Sequence, residues 1–596
     1  MVFAAVAAAL LLSLPSIRVG LHSDDLAHAL AVCGQAPFPA QDGSPLNLFA
    51  FADGDPATNR EAIDRGMMPW WTDPHLRLRF FRPLSAATHW LDFRLLAEWP
   101  VIMHAQNLAW LAAMTLAAAA LYRRVSGPGA AAALATVLFA VDDAHAGAIA
   151  WISGRNGLVA STFAILAVVM HDRWRRDGSR TAMLLAPLSL AAGLAGGEAA
   201  VPIGGYLLAY ALFLDRGTVG ARALSLLPYV PVAIAWRAIY ATMNYGAYGS
   251  ATYIDPAGEP LRFIQAVGVR APIQILATWG LPYSEVFEML SPGAATAMWA
   301  AAAIVTLLLL LALVPQVARS PQARFWTLGM LLAIPPNCAT IPADRVLILV
   351  GLGAHALIAQ MLVSAAAELR EGRLTRMRRA VNIGGGAVLV TIHLVLAPLL
   401  LPIRTRAEGH GRAADMWSLP MLQADPALAE RHVVMVNGLG AWWGPLFRIN
   451  LEHSGRPAPR RITMLASGYR PVEVTRVDER TLRVRPQRGY LVPPRTPAGD
   501  DPRAAAMLDR VYRLQQSDIA FRNDARAFRA GEQVHLDGVT VEVAALTDDG
   551  RPAEAVFHFD APLENAKWVW LYWTGGAHDV FVPPEIGATV RLEGGI

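Results

Sequence analysis

Long uncharged apolar stretches are the feature that most constrains this chain. Several of them approach or exceed the ~20 residues that a helix needs to cross a bilayer. Charged residues make up only 16% of the 596 residues, against about 25% in an average soluble protein. These properties exclude a soluble globular enzyme and a disordered scaffold. They predict a polytopic α-helical membrane protein.

The apolar stretches predict about eleven transmembrane helices. The first, residues 2–19, is short and lacks a basic leading region, so a cleaved signal peptide is the alternative. No A-x-A cleavage site precedes the polar segment that follows, and we therefore interpret the stretch as a helix. The other stretches lie near residues 100–122, 129–141, 157–170, 181–197, 199–214, 223–242, 294–315, 325–341, 346–366 and 380–402.

Arginines flank these stretches in a pattern that predicts their orientation. If the N-terminus is cytoplasmic, the arginine groups near residues 123–124, 173–176, 216–222, 319–324 and 370–379 all lie on the cytoplasmic side. The formal charge of +4 therefore reflects membrane orientation, and we expect no nucleic-acid partner. The segment 262–290 is semi-apolar, and we interpret it as interfacial or re-entrant. Segments 22–99, 142–156, 243–293 and 403–596 then face the outside. The abundance of Ala, Arg, Gly and Pro indicates a GC-rich bacterial source, hence an inner membrane and a periplasmic outer side.

The composition changes after residue 403. Residues 404–596 contain no apolar span, and alternating segments near 472–474, 482–484, 539–543 and 568–573 predict strands. Asp548-Asp549-Gly550 and Thr574-Gly575-Gly576 predict turns between them. We therefore divide the chain into a membrane domain, 1–403, with a long first outer loop, 22–99, and a β-rich outer domain, 404–596. Aromatic side chains of this domain, such as Trp442, Trp443 and Trp570, suit its core or the membrane surface better than stacking on sugar rings.

Two adjacent carboxylates, Asp24 and Asp25, follow the first span. Adjacent acids at a membrane boundary are poorly solvated and repel each other, so one of them is expected to have a raised pKa. Such a group suits a general base or a carboxylate that orients an acceptor hydroxyl or amine. The alternative is that the pair only ends the helix at the interface.

Further polar residues collect where spans meet the outer side. Charged side chains near a membrane are costly, so they usually pair or serve a site. Arg82, Arg155 and Arg345 would all face outwards and could hold a lipid phosphate; Arg82 could instead pair with Asp73 or Asp92. The remaining candidates on this face are His104, Asn107, Asp142, Asp143, His145, Glu198 and Asp344. The acidic pairs could bind Mg²⁺ or Mn²⁺ through oxygen ligands, although we expect no metal cofactor.

The order of these motifs resembles the GT-C superfamily of membrane glycosyltransferases, and within it the TMTC-type and protein O-mannosyltransferase branch. The matching elements are the Asp24-Asp25 pair, Phe81-Arg82-Pro83-Leu84, the pair His104 and Asn107, the block Leu138-Phe139-Ala140-Val141-Asp142-Asp143-Ala144-His145 with Gly154-Arg155, and Asp344-Arg345-Val346-Leu347. The resemblance covers roughly residues 1–400. The family's His-Pro pair is Asp142-Asp143 here, and the tetratricopeptide repeats of the TMTC type are replaced by the β-rich domain.

The resemblance implies transfer of a sugar from a polyprenyl-phosphate carrier on the outer face of the membrane, with inversion at the anomeric carbon. Asp24 or Asp25 would be the catalytic carboxylate, and Arg82, Arg155 and Arg345 would hold the leaving phosphate. The acceptor would be a protein, a lipid or an envelope glycan. Two other functions stay open: a non-catalytic relative that binds a lipid-linked glycan or assists assembly, and a transporter of lipid-linked sugars, although the chain lacks the internal repeats common in transporters.

Overall fold

The computed structural model describes residues 1–371, 375–407, 426–493, 512–575 and 578–594. Up to residue 407 the described chain is mostly helical. Its α-helices are α1 Val2–Ser13, α2 Asp24–Val32, α3 Pro56–Asp64, α4 Pro83–Leu95, α5 Pro100–Ser126, α6 Ala130–Ala140, α7 Ala146–Ala150, α8 Arg155–Asp177, α9 Arg180–Gly196, α10 Ile203–Phe213, α11 Val219–Leu226, α12 Val230–Thr242, α13 Pro260–Trp279, α14 Val286–Met289, α15 Pro292–Arg319, α16 Pro321–Asn337, α17 Ile348–Glu371, α18 Arg376–Val390 and α19 Ala397–Ala407.

Prolines open many of these helices. Pro83, Pro100, Pro260, Pro292 and Pro321 each occupy the first helical position, where the missing N–H costs nothing and the fixed φ favours the helix. Each of them follows a loop or a preceding helix end, so the prolines set where the chain re-enters a helix. The sequence itself therefore marks where these five helices begin.

Six helices in the described part of the chain are long and apolar enough to cross a membrane. They are Pro100–Ser126, Ala130–Ala150, Val219–Thr242, Pro292–Arg319, Ile348–Glu371 and Arg376–Arg406, and shorter apolar helices cover Val2–Arg18, Arg180–Gly196 and Glu198–Phe213. All eleven apolar stretches identified in the sequence form helix. The chain is therefore a multi-pass α-helical membrane protein, while the number of crossings and the orientation stay predictions. The semi-apolar segment 262–290 contains α13, whose second half is buried.

Small residues let the membrane helices approach closely. A Cβ on Gly329 of α16 would lie 2.3 Å from the Tyr206 ring of α10, and one on Gly353 of α17 would lie 2.6 Å from the Tyr206 hydroxyl. The Tyr206 hydroxyl donates a hydrogen bond to the Leu349 carbonyl at 2.7 Å. Glycines at such positions allow backbone-to-ring contact, as is common between membrane helices. The helices form one apolar core around α5, α8, α10, α16 and α17.

The segments predicted to face outwards contain three sheets. A small antiparallel sheet joins β1 Ala50–Asp53, β2 Arg77–Arg79 and β3 Gly246–Tyr248. The other strands are β4 His432–Gly438, β5 Arg461–Ser467, β6 Val472–Arg476, β7 Thr481–Pro486, β8 Gln533–Leu536, β9 Val539–Leu546, β10 Pro552–Phe559, β11 Trp568–Trp573, β12 His578–Val580 and β13 Thr589–Leu592. They form an antiparallel sheet in the order β13-β6-β7-β10-β9-β8 and a sheet in the order β12-β11-β4-β5.

The second of these sheets is partly parallel. β4 pairs in parallel with both β11 and β5, and helix α20 Trp443–His453 connects β4 to β5. A further helix, α21 Tyr512–Ala520, follows later in the chain. The outer domain is thus a β-rich domain that contains a βαβ unit. The alternating segments that predict strands are confirmed as β6, β7, β9 and β11.

The turn predicted at 548–550 joins β9 to β10 and is confirmed. The turn predicted at 574–576 lies partly outside the described residues. Trp443 and Trp570 are buried, which confirms the prediction of a core position for these two side chains.

The first outer loop packs directly against the outer domain. Trp70 and Trp71 are each 1% exposed, and their indole N–H groups donate to the carbonyls of Leu465 at 3.2 Å and Asp518 at 3.1 Å. One apolar core contains residues of α2, of the loop and of both large sheets. The division at residues 403 and 404 stays a prediction, because the core runs across it.

Candidate active site at the outer face

The predicted catalytic pair opens α2, directly after the first apolar helix. Ser23 adopts a φ of 51° at the turn, a left-handed conformation that is unusual for a residue other than glycine. This turn starts α2 at Asp24. The two carboxylates occupy the first turn of the helix, where the helix dipole stabilises negative charge.

Asp25 is fully buried and hydrogen-bonded. Its Oδ1 accepts from the Ser153 backbone N–H at 2.7 Å and from the Ser153 hydroxyl at 2.6 Å, and its Oδ2 accepts from the His22 N–H at 3.3 Å. The Ser153 Oγ also lies 3.1 Å from His28 Nδ1. Burial and the nearby Arg82 lower the pKa of His28 to about 3, so that ring stays neutral. Asp25 therefore fixes α2 to the segment that precedes α8.

Asp24 differs from its neighbour. Its side chain is half-buried, and no described residue donates a hydrogen bond to its carboxylate. Burial and the charge of Asp25 raise the pKa of Asp24 to about 7, while Arg82 and Arg345 act in the opposite direction. A carboxylate with this pKa is suited to take a proton near neutral pH.

Arg82 lies beside Asp24 at the start of α4. Its Nε donates to Glu198 Oε2 at 2.7 Å, and its guanidinium packs over the rings of Phe80 at 4.6 Å and Phe49 at 5.0 Å. Glu198 also accepts a hydrogen bond from the Tyr240 hydroxyl. The alternative partners for Arg82, Asp73 and Asp92, are bound to other arginines. Glu198 thus orients Arg82, and no described residue accepts from its η nitrogens.

Arg345 also lies near Asp24, since its charge acts to lower the pKa of Asp24. Its side chain is exposed, its guanidinium lies 5.7 Å from the Trp151 ring centroid, and no described acidic residue forms an ion pair with it. Trp151 also stacks with His22 at 6.1 Å between ring centroids. The tryptophan therefore packs near a cation that donates to no described acceptor.

Arg155 occupies a different environment. It is fully buried, and its donors reach Asn107 Oδ1 at 2.6 Å, Asp92 Oδ2 at 2.6 Å, Met103 O at 2.9 Å and Thr88 Oγ1 at 3.2 Å. A guanidinium has five N–H donors, and these contacts engage all three of its nitrogens. The structure therefore does not group Arg155 with the two arginines beside Asp24.

His104 and Asn107 hold the backbone around this site. His104 Nε2 donates to the Gly20 carbonyl at 3.0 Å, and the Asn107 amide donates to the carbonyls of Ile149 at 2.9 Å and Trp151 at 3.2 Å. These contacts join α5 to the turn before α2 and to the segment before α8. Both side chains are fully buried, so they position other groups and do not face the outside.

Two of the remaining predicted residues, Asp143 and Asp344, form a second cluster around Arg404, near the end of α19. Its Nη1 lies 2.8 Å from Asp143 Oδ2 and 2.8 Å from Asp344 Oδ2. Asp344 Oδ1 accepts from the Ser284 N–H and hydroxyl, each at 2.8 Å. Glu285 lies at the edge of the cluster, and burial together with Asp344 raises its pKa to about 7. Arg404 was not among the predicted site residues, although an arginine that ends an apolar span is a usable signal.

Asp142 and His145 point away from both clusters. Asp142 Oδ2 lies 3.7 Å from His355 Nε2 and 4.0 Å from His145 Nε2, among buried rings of the membrane core. The neighbours Asp142 and Asp143 therefore face different partners. Among the described residues, no group of three or more His, Cys, Asp or Glu side chains is placed to hold a metal ion.

Comparison with known proteins gives distant structural relatives. No protein-family model matches the chain, and no curated protein matches it. The structure of ArnT from Cupriavidus metallidurans bound to undecaprenyl phosphate is 14% identical, with a TM-score of 0.35 over 77% of this chain and 85% of that one. The same protein in the apo state gives a TM-score of 0.31 at 14% identity over 77% and 84%.

A third relative is the Archaeoglobus fulgidus oligosaccharyltransferase tethered with an acceptor peptide, at 12% identity and a TM-score of 0.37 over 78% of this chain and 64% of that one. The GT-C resemblance of the sequence motifs and its TMTC-type branch stay predictions.

Proposed function

We propose that this chain is a membrane glycosyltransferase that moves a sugar from a polyprenyl-phosphate-sugar donor to an acceptor on the outer face of the membrane. The observation that carries the proposal is Asp24, a carboxylate with no described hydrogen-bond donor, a pKa raised to about 7 and two arginines beside it. A base and an anion-binding pair at one membrane boundary are what transfer from a lipid phosphate requires.

In the proposed reaction, the acceptor hydroxyl or amine attacks the anomeric carbon from the face opposite to the phosphate. The bond from that carbon to the phosphate oxygen breaks as the new bond forms, so the configuration inverts. Asp24 takes the proton that the acceptor loses, and the polyprenyl phosphate leaves with the electron pair of the broken bond. Because Asp24 accepts the proton, it must be deprotonated at the start of the step.

Arg345 and Arg82 are proposed to stabilise the leaving phosphate. Both guanidinium groups are held by aromatic rings, and Arg82 is further oriented by Glu198. Preorganised donors of this kind stabilise charge that develops in the transition state. Arginine also offers a planar fork that fits two phosphate oxygens at once.

Asp25 and Arg155 are proposed to be positioning residues. Asp25 anchors the first turn of α2 through Ser153, and Arg155 anchors the segment of Ser153 through Asn107 and Asp92. The Arg404 cluster braces the segment that carries Arg345, since Asp344 precedes it directly. The proposal further includes a bacterial inner membrane, a periplasmic outer domain and a protein, lipid or envelope glycan as acceptor.

Donor turnover tests the proposal. The full chain in lipid is incubated with a panel of polyprenyl-phosphate sugars and a membrane extract as the acceptor source, and released polyprenyl phosphate is measured by mass spectrometry. We expect release that Asp24→Asn abolishes and that Glu61→Gln retains, since Glu61 is an exposed acid of α3, far along the first loop. Release by Asp24→Asn equal to that of the wild type would remove the proposed base. No release from any donor by a folded sample would favour a non-catalytic, glycan-binding role.

A further inference from the structure

A second polar pocket lies in the outer domain, at the carboxyl ends of its parallel strands. β11, β4 and β5 run in the same direction and end at Trp573, Gly438 and Ser467. Ligands of α/β sheets bind at this edge, because the loops that follow the strands diverge there. Gly468 follows β5 and packs so closely that a Cβ would lie 2.5 Å from the Asn437 carbonyl oxygen. The loop is therefore held in place against β4.

Arg470 lines this pocket. The residue is 7% exposed, and no described residue accepts a hydrogen bond from its Nε or Nη2. Buried charges are otherwise paired or bound to a ligand, because an unpaired buried charge costs several kcal/mol. Arg470 is therefore a buried cation at the pocket, with two donor nitrogens that no described residue pairs.

The neighbouring residues do not neutralise Arg470. Asp518 lines the same pocket, but its carboxylate already accepts from the Ser467 hydroxyl at 2.7 Å, the Tyr469 hydroxyl at 2.8 Å and the Ala441 N–H at 3.1 Å. Two more arginines, Arg488 and Arg551, lie close enough to act electrostatically on Arg470. The pocket therefore carries an excess of positive charge.

The space beside Arg470 is small. It holds about one water molecule, about 10 Å³, the size of a single oxygen atom of a ligand. The turn that closes it places Arg488 at a φ of 69° and Gly489 at a φ of 77°, so the backbone there is held in a left-handed conformation. One oxygen of an anion fits inside.

We propose that Arg470 binds a phosphate group at the carboxyl edge of the parallel strands, with one phosphate oxygen in the pocket. The guanidinium fork presents charge-assisted hydrogen-bond donors to such an oxygen. The phosphate belongs to a lipid headgroup or to a water-soluble phosphate compound, and the two share this chemistry. The site is independent of Asp24 and of the proposed transfer reaction.

Calorimetric titration of inorganic phosphate into the full chain tests the site. The chain is reconstituted in discs of neutral phospholipid at constant ionic strength and compared with Arg470→Gln and with Arg529→Gln, in which an exposed arginine of the same domain is replaced. We expect Arg470→Gln to weaken phosphate binding about tenfold or more, because it removes a charge-assisted contact. Arg529→Gln is expected to bind within about twofold of the wild type, because exposed charges contribute little.

Thermal unfolding distinguishes phosphate binding by Arg470 from a purely structural role of this side chain. Without phosphate, Arg470→Gln is expected to unfold at a higher temperature than the wild type, because it removes an unpaired buried charge. Phosphate is expected to raise the midpoint of the wild type and not that of the variant. If Arg470→Gln does not fold, Arg470→Lys serves instead, since it keeps the charge and loses the fork, and it should bind phosphate more weakly.

Anionic discs identify the source of the phosphate. If a lipid headgroup fills the pocket, phosphatidylglycerol in the discs weakens the binding of inorganic phosphate by the wild type. Equal affinity in neutral and anionic discs indicates a water-soluble ligand. Phosphate binding that is unchanged by Arg470→Gln and Arg470→Lys, or absent in both kinds of disc, would overturn the proposal.

Discussion

The two sides of the candidate active site are built in opposite ways. On the buried side, short hydrogen bonds join Ser153 to Asp25 and Arg155 to Asp92. On the open side, Asp24 has no described donor and Arg345 has no described acidic partner. Asp24 and Asp25 are neighbours in the chain, and yet they belong to different sides.

The difference indicates that one side of the site has a structural role and the other a chemical role. Charges that are paired in this way hold elements in place and have few donors or lone pairs left for a substrate. Unpaired charges at an open boundary are costly to keep, and they are the groups available to a ligand. The buried side thus fixes the backbone, and the open side is free to react.

The largest effect is expected on the buried side, from Arg155→Gln. The change leaves the buried carboxylate of Asp92 without its cation, which costs about 3–5 kcal/mol of unfolding free energy. Denaturant unfolding of the purified chain measures it. The double variant Arg155→Gln with Asp92→Asn removes both charges and should regain more than half of the loss. A double variant as unstable as the single one would show that the pair does not act as a unit.

Arg345→Gln tests the open side. Turnover is expected to fall by about 10²–10³-fold, the usual cost of removing one donor that stabilises developing charge, while the midpoint of thermal unfolding stays unchanged because the side chain is exposed. Arg94 is a matched control, since it is also exposed and lies 5.6 Å from the Trp90 ring. Equal turnover losses in Arg345→Gln and Arg94→Gln would assign the effect to packing on tryptophan and not to phosphate binding.

The pH dependence of turnover links the two sides. Turnover should rise with pH through about 7, because only deprotonated Asp24 accepts a proton and burial with Asp25 raises its pKa to about 7. Asp25→Asn removes one cause of that shift and keeps an acceptor for Ser153. The acid limb of the pH profile should therefore move to lower pH in this variant. A limb that stays in place or moves to higher pH would contradict the assignment of Asp24 as the base.

Ser153→Ala is expected to give the smallest effect. The change removes one of the two Ser153 donors to Asp25 and the partner of His28 Nδ1, while the backbone N–H at 2.7 Å remains. We expect a loss of about 1 kcal/mol in unfolding free energy, measured by denaturant unfolding. Turnover at the optimal pH should stay within a few-fold of the wild type. A collapse of turnover without loss of stability would place Ser153 among the reacting groups.

The sequence predicts most of the helices and part of the site. Long stretches without charged residues predict the apolar helices. The two neighbouring acids Asp24 and Asp25 are predicted as a catalytic pair because they follow the first of these stretches directly. Which of the two is free cannot be predicted locally, because Asp25 is bound by Ser153, 128 residues away. The same holds for Arg155 and Arg345, two arginines with similar motif contexts whose surroundings are set by tertiary packing.

In the outer domain, strand prediction depends on which faces are buried. β6, β7 and β9 alternate between buried and more exposed residues over much of their length, so period two identifies them. β4 is buried at every position and β5 at all but one, as is usual for parallel strands covered on both faces. An uninterrupted apolar run has no period, and for that reason the βαβ unit was not predicted.

The core shared by the first loop and the outer domain has a consequence for modularity. Leu26, Ala27 and Leu30 of α2 belong to the same apolar core as the strands after residue 430, and Trp70 and Trp71 are capped by carbonyls of the outer domain. A chain shortened to 1–403 would expose this surface and lose the packing behind the helix that carries Asp24. The outer domain therefore cannot be exchanged for that of a relative on its own. Grafting it onto a relative would require the first loop to be transferred with it.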